Sequence, residues 1–208
     1  MGPQLERLLA VAGAPSGAAT TQLADLSDVP DELRELLARC NGFLAFESAL
    51  HVFPLTASRA DVVTLEAWNA QDLWRNGYEG LADGLVFFAE DIFGGQFALS
   101  PHGVVSFNPE TGEVAYVADS LESWASRILD DYELLTGFPL AHSWQQRHGQ
   151  LPAGQRLLPK RPFVLGGGFS VENLYPLDSV EGMRLRAELA TQIANLPEGA
   201  AVTFKIIE

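Results

Sequence analysis

The amino-acid sequence predicts an α+β protein with an antiparallel or mixed central sheet flanked by helices. Four short β-prone runs, separated by turn residues, lie between positions 85 and 118. A helical pattern precedes them at about 30–40, and another follows at about 120–135. Helix, meander and helix in this order are typical of a layered α+β fold. A further strand–helix–strand pattern predicts a C-terminal extension packed on or beside this domain.

The composition is that of a folded globular protein. The chain has 208 residues, of which 47% are hydrophobic and 19% charged. No apolar run approaches the ~20 residues that a membrane span needs, and no basic segment precedes an apolar run at the N-terminus. The single cysteine, Cys40, excludes an internal disulfide and a cysteine-based zinc site. We therefore expect a cytoplasmic protein.

The chain is expected to divide into three parts. Residues 1–20 are predicted to be peripheral, with a short amphipathic helix and a glycine-rich linker at 13–20. The main domain is placed at 21–136 and the extension at 137–208. At the start of the main domain, Pro30 suits the first turn of a helix, and Asn41-Gly42 supplies a left-handed stop.

The spacing of apolar and turn residues predicts the helices and strands of the main domain. Residues 43–54 are apolar and bracketed by turns, which predicts one or two short strands, whereas 56–74 returns to helical spacing. The four runs at 85–118 predict an antiparallel meander. Leu121, Trp124 and Ile128 then form an apolar stripe, which predicts a helix over one face of that sheet.

The extension begins beyond Gly137. A short helix is predicted at 142–149, an extended connector at 151–162 and a strand at 163–165, followed by a flexible glycine turn at 166–168. Asp178 and Glu181 form a capping box, which predicts the start of a helix. A last strand is predicted around 202–207.

Three of these blocks, in this order, resemble the SUKH superfamily across about residues 25–135. They are the helix at 29–42, the hairpin at 87–99 with its acidic-glycine turn, and the helix at 120–129. The superfamily includes Smi/Knr-type cell-wall regulators and many bacterial proteins. The resemblance assigns structural roles to five residues: Pro30, Asn41, Gly42, Gly94 and Trp124.

The resemblance implies a fold built around a mixed sheet and a non-catalytic function. Bacterial members are mostly immunity proteins that bind and neutralise partner toxins, often nucleases, and the family has no shared catalytic motif. The residues agree with this implication. The four histidines lack metal-ligand spacing, and the glycine run lacks the lysine of a phosphate-binding loop. No catalytic residue, metal site or cofactor is predicted.

Charge distribution indicates the kind of partner. Residues 1–136 carry 21 acidic and 6 basic side chains, whereas residues 137–208 carry 6 acidic and 7 basic. Such a surface repels nucleic acid and anionic membranes and attracts a basic protein. We predict that exposed acids flanking the best-matched hairpin bind this partner: Glu79, Asp83, Glu90 and Asp91.

Two other functions stay open. The chain could be a general regulatory or interaction module without a toxin partner, in which case the acidity serves only solubility. It could also be an enzyme whose site the sequence does not reveal.

Overall fold

The described part of the chain, in a computed structural model, comprises residues 1–18, 29–59 and 62–196. Its helices are α1 Pro3–Ala10, α2 Asp31–Arg39, α3 Leu65–Asn69, α4 Leu121–Asp130, α5 Tyr132–Thr136, α6 Phe138–His148 and α7 Ser179–Ala194. Its strands are β1 Phe43–Ala45, β2 Leu50–Val52, β3 Val86–Asp91, β4 Gln96–Ser100, β5 Gly103–Phe107, β6 Val114–Ala118, β7 Gln155–Pro159 and β8 Leu174–Asp178. Short 3-10 helices lie at Arg75–Tyr78, Phe163–Leu165 and Val171–Asn173. The α+β class is confirmed.

The main sheet is an antiparallel meander of six strands in the order β1 to β6. Strands β4 and β5 pair without interruption from Gln96 opposite Phe107 to Ser100 opposite Gly103. The register shifts once between β3 and β4 and once between β5 and β6. The predicted meander at 85–118 is confirmed, and β1 and β2 extend it with the two short strands expected before position 54.

Helix α4 covers one face of this sheet. Trp124 is fully buried, and its ring lies edge-on to Phe88 and Phe97, at centroid distances of 4.9 and 5.7 Å. The single helix predicted over 120–135 is wrong in one respect, because Asp131 at φ −141° divides it into α4 and α5. Helix α5 then ends at Gly137, which takes the left-handed conformation.

The N-terminal helix belongs to the main core. Leu5 and Leu8 of α1 are fully buried, and the Glu122 carboxylate of α4 accepts from the backbone N–H groups of Gln4 and Leu5. The prediction that this helix is peripheral is therefore wrong. A carboxylate from another helix satisfies two N–H groups that the first turn of α1 leaves unpaired, and no local pattern reveals that contact.

The helix predicted at 56–74 is confined to five residues. Thr64 caps its start by accepting from Ala67 N–H. Asn69 ends it, because its side-chain amide exchanges hydrogen bonds with the backbone N–H and C=O of Phe87 in β3. Tertiary contacts therefore override the helical spacing of this segment.

The extension contains β7 and β8, which form a two-stranded antiparallel sheet, and α7. The predicted capping box is confirmed in part, since the Asp178 side chain accepts from the N–H groups of Val180 and Glu181. The strand predicted at 163–165 is a 3-10 helix instead, and a strand occupies Gln155–Pro159, where a connector was predicted. The strand predicted at 202–207 lies outside the described residues.

Helix α7 joins the extension to the main domain. Its Met183, Ala187 and Ala190 are buried in the same core cluster as the meander and α4. A second cluster lies between the extension and the end of β3, with Ile92, Trp144 and Leu157 among its members. None of the helices within the described ranges combines the length and the hydropathy that a membrane crossing requires.

Candidate protein-docking surface

The four predicted partner-binding acids do not form one exposed cluster. Glu79 and Asp83 are exposed, on the segment between the first 3-10 helix and β3. Glu90 is only 1% exposed, whereas Asp91 is partly exposed and lines the groove described below. The prediction that Glu90 is an exposed turn charge is wrong, and Asp91 is less exposed than predicted. They belong to β3, and the register places Glu90 opposite His51 of β2.

Glu90 is the centre of a buried polar cluster. Its Oε1 lies 2.9 Å from Arg156 Nε, 3.0 Å from His51 Nδ1 and 3.3 Å from Ser179 Oγ. Burial alone would raise the pKa of Glu90, but Arg156 and His51 outweigh it and hold that pKa below its ordinary value. Burial lowers the pKa of His51. The cluster therefore pairs an ionised carboxylate with a guanidinium and a neutral imidazole.

Asp91 shapes the turn that follows. Its Oδ1 accepts from the N–H groups of Phe93 and Gly95, each at 2.8 Å. Gly94, with φ +77°, lies in this turn, and a Cβ there would come within 2.6 Å of Arg186 Nη2. The acidic-glycine turn is therefore a structural device that brings β3 back into β4 and leaves room for a buried arginine.

The other residues of the family pattern also act through structure. The Asn41 side chain accepts from Leu55 N–H and donates to Thr56 Oγ1. Gly42 has φ +68°, and a Cβ there would come within 2.6 Å of the Pro54 ring. Pro30 stands at the N-cap of α2. These contacts tie the end of α2 to the end of β2, so substitutions here would alter folding before they alter a surface.

A groove of about 500 Å³ lies between the β5–β6 turn, α5 and the loop at 163–169. Three large apolar side chains on its walls face solvent: Leu134 is 76% exposed, Phe169 68% and Val164 42%. Strand β6, whose Val117 lines the groove, also exposes Val114 and Tyr116. Large exposed apolar side chains grouped around a groove mark sites of protein–protein interaction.

The aromatic wall of the groove is ordered. Phe163 and Phe169 stack face to face at 4.1 Å with an interplanar angle of 4°, and Phe93 meets both rings edge-on. The buried Glu110 carboxylate of the β5–β6 turn accepts from Phe163 N–H and Val164 N–H, at 3.2 and 2.8 Å. The glycine turn at 166–168 is thus part of a loop tied to the main sheet.

Residues 108–135, which supply the β5–β6 turn and α5 to the groove, form an acidic segment, and we call its exposed acids the rim. Residues 108–135 hold seven acidic side chains and one basic one. The basic residue, Arg127, donates a hydrogen bond to the Val117 carbonyl. The exposed acids of this segment are Glu113, Asp119, Asp130, Asp131 and Glu133. We call the groove together with these five residues the acidic groove.

Sequence reasoning missed the acidic groove. Its apolar members come from α5 and from a loop thirty residues further on, so no single segment shows the pattern. The run Asp130-Asp131 followed by Glu133-Leu134 was the one local signal, since an apolar residue amid exposed acids is unusual on a helix face. Among the described residues, no group of three or more His, Cys, Asp or Glu side chains is placed to hold a metal ion.

The meander closed by α4 agrees with the α+β fold that the resemblance to the SUKH superfamily implies. Residues 26–127 match the model of the SMI1/KNR4 family (SUKH-1), and this match supports membership of the SUKH superfamily, a group known for immunity-type domains. The fold of the whole chain is similar to the crystal structure of Atu4351 from Agrobacterium tumefaciens, with a TM-score of 0.56 and 15% identity over 90% of this chain and 89% of that one. No curated protein matches the sequence.

Proposed function

We propose that the chain is a non-catalytic, cytoplasmic protein-binding module of the immunity type, which neutralises a basic toxin by covering it with the acidic groove. One observation carries the proposal: exposed aromatic and aliphatic side chains line a groove whose β5–β6 turn and α5 come from a strongly acidic segment. Membership of the superfamily supports a protein partner in general terms. The identity of the toxin rests on the chemistry of the surface.

The apolar residues of the groove would provide the affinity. Phe169 is a rigid aromatic anchor, since its ring is already stacked on Phe163. Aromatic anchors at the centre of an interface commonly contribute most of the binding free energy. Leu134, on the opposite wall, would extend the contact across the groove.

The exposed acids of the rim would increase the rate of association and the selectivity for a basic partner. Long-range attraction between unlike charges accelerates the encounter of two proteins and disfavours partners with the wrong charge. A nuclease fits this surface because its cleft must be positively charged to hold phosphates. A nuclease toxin is therefore the partner class that we propose.

Glu79 and Asp83 would extend the acidic rim. Leu81, between them, lies against the β5–β6 turn, since a Cβ at Gly112 would come within 2.6 Å of it. Glu79 takes the left-handed conformation at φ +50° and is exposed. We propose that these two carboxylates steer the partner, whereas Glu90 acts inside the fold and Asp91 holds the turn at the edge of the groove.

The test is capture of the partner with matched surface variants. The wild type, the double variant Leu134→Asp/Phe169→Asp and the control Leu185→Asp would each be immobilised and exposed to an extract of the source cell. Leu185 is 62% exposed on α7, so it matches the variants in exposure and chemistry. We expect the wild type and the control to retain a basic protein that the double variant loses.

The recovered protein would then be expressed alone and together with the chain. Growth arrest that co-expression relieves supports the immunity function. A partner that is harmless when expressed alone would instead favour a regulatory module. Equal capture by all three proteins would overturn the assignment of the groove.

A further inference from the structure

A second cleft, of about 310 Å³, lies between β2, the loop at 150–154 and the start of α7. Its polar floor is the buried cluster of Glu90, His51, Arg156 and Ser179, and its partly exposed apolar walls include Val63 and Val180. The proposed toxin-binding function does not use this cleft. Concave sites of this volume, with apolar walls and a few convergent polar groups, are typical of small-molecule binding.

His51 offers an acceptor to this cleft. The carboxylate of Glu90 only accepts hydrogen bonds, so the Nδ1 of His51, 3.0 Å from it, must carry a proton. In the neutral ring the other nitrogen, Nε2, then carries a lone pair. The His51 side chain is 14% exposed and lines the cleft. A ligand donor would therefore find an imidazole whose tautomer is already set.

Arg156 offers donors beside it. This residue is only 2% exposed and lines the cleft. Its Nη1 donates to the Gln155 carbonyl and its Nε lies 2.9 Å from Glu90 Oε1, which leaves Nη2 without a hydrogen bond to the described residues. A guanidinium carries five N–H donors, and buried donors without an acceptor cost free energy. An acceptor on a ligand would remove that cost.

Donor and acceptor lie close together, because Arg156 Nε and His51 Nδ1 both contact the same oxygen of Glu90. The ligand that matches them carries a C=O next to an N–H. A neutral ligand matches the charge of the cleft, because the two guanidinium groups that line it, Arg59 and Arg156, are balanced by the two carboxylates, Glu90 and Asp178.

We infer that this cleft binds an uncharged small molecule with an amide or lactam group on a small apolar body. The ligand C=O would accept from Arg156, and its N–H would donate to His51 Nε2. Val63 and Val180, which line the cleft and are partly exposed, would pack against the apolar body.

The test uses benzamide, benzoate and toluene as probes, and follows backbone amide chemical shifts by NMR during titration. These probes share a ring and differ in the polar group. We expect saturable shifts near His51 and Arg156 with benzamide, and at least tenfold weaker binding of benzoate and toluene. His51→Phe should lose benzamide binding while its spectrum stays dispersed.

A steric variant leaves the polar floor intact. Ala153 is exposed and lines the cleft, so Ala153→Trp should block benzamide. Ala115→Trp, on exposed β6, is the matched control and should bind like the wild type. Binding that survives in Ala153→Trp, benzoate that binds more tightly than benzamide, toluene that binds equally, or no benzamide binding up to ~10 mM would each overturn the inference.

Discussion

The charge of Glu90 is balanced inside the protein by Arg156, and both side chains are almost fully buried. Glu90→Gln leaves the guanidinium without its counter-charge, and breaking a buried pair in this way costs about 3–5 kcal/mol of unfolding free energy. Urea denaturation would measure the loss. The control Glu79→Gln, at an exposed carboxylate, should change stability by less than ~0.5 kcal/mol. An unchanged midpoint for Glu90→Gln would contradict the burial of this pair.

Because Glu90 is buried, reversing its charge would affect folding and would not test partner binding. Glu90→Lys would place a second cation beside Arg156 in a site without bulk solvent, so this substitution reports on folding and says nothing about a partner. Reversals that test docking belong at exposed acids.

Asp91 predicts a pH dependence of stability. Burial raises the pKa of this carboxyl group to about 7 from 3.8, although hydrogen bonds from Gly95 and Phe93 N–H oppose the shift. Between these values the folded state holds a proton that the unfolded state has lost. The contribution of Asp91 to the unfolding free energy therefore falls as pH rises through this window and stays low above it.

Asp91→Asn tests this dependence because the amide keeps an accepting oxygen and does not titrate. We expect the wild type to lose stability relative to Asp91→Asn as pH rises from 4 to 8, in urea titrations at matched ionic strength. A difference between the two proteins that stays constant across this range would contradict the raised pKa.

At the scale of elements, α4 is held on the sheet by Trp124. Trp124→Ala would leave a large cavity against Phe88 and Phe97 and is expected to cost roughly 3–5 kcal/mol. Trp124→Phe should cost clearly less, because the indole Nε1 has no hydrogen-bond partner to lose among the described residues. Thermal and urea denaturation would rank the two variants. A destabilisation by Trp124→Ala no larger than that of Leu134→Ala, at an exposed site, would contradict core packing.

The conformation of the loop that carries Phe169 depends on the close approach of Gly167 to Arg161. A Cβ at Gly167 would overlap the carbonyl oxygen of Arg161, whereas a Cβ at Gly168 would meet nothing within 4 Å. Gly167→Ala should therefore displace the loop and raise amide hydrogen exchange across 161–170, and Gly168→Ala should leave exchange close to wild type. Equal protection in the two variants would show that the loop conformation does not depend on this close approach.

Elements whose signals are local were predictable from sequence. The four strands of the meander, α2 and the Asp178 cap follow from periodicity and turn chemistry within a few residues. Elements set by distant partners were not. The segment at 163–165 is a 3-10 helix anchored by Glu110, whose bonds span 53 and 54 residues. The burial of Glu90 likewise depends on Arg156 from another element, so an acidic pair beside a glycine turn looked exposed.

At the scale of the whole molecule, the two candidate surfaces differ in their chemistry. The acidic groove presents exposed apolar anchors beside a segment of net negative charge, whereas the charged residues that line the smaller cleft balance one another. The first arrangement suits a large partner that is attracted from a distance, and the second suits a small neutral ligand. Neither surface requires the other, so the two proposals can fail independently.

If electrostatic attraction guides docking, the association rate should depend on the charge distribution of the whole molecule and on salt. At about 0.15 M salt the Debye length is ~8 Å, so screening should slow association with a basic partner as salt rises, while dissociation changes less. The variant Asp131→Lys/Glu133→Lys should slow association further.

The control Glu66→Lys/Glu188→Lys makes the same change in net charge at exposed acids outside the 108–135 segment. Association rates of all three proteins with the captured partner would be measured across a salt series. If the rim steers the partner, the rim variant loses more rate than the control, and the difference between them shrinks at high salt because the lost attraction is local. Equal losses would mean that net charge alone governs encounter. Rates indifferent to salt in every protein would remove the electrostatic role of the rim and leave its acids with solubility alone.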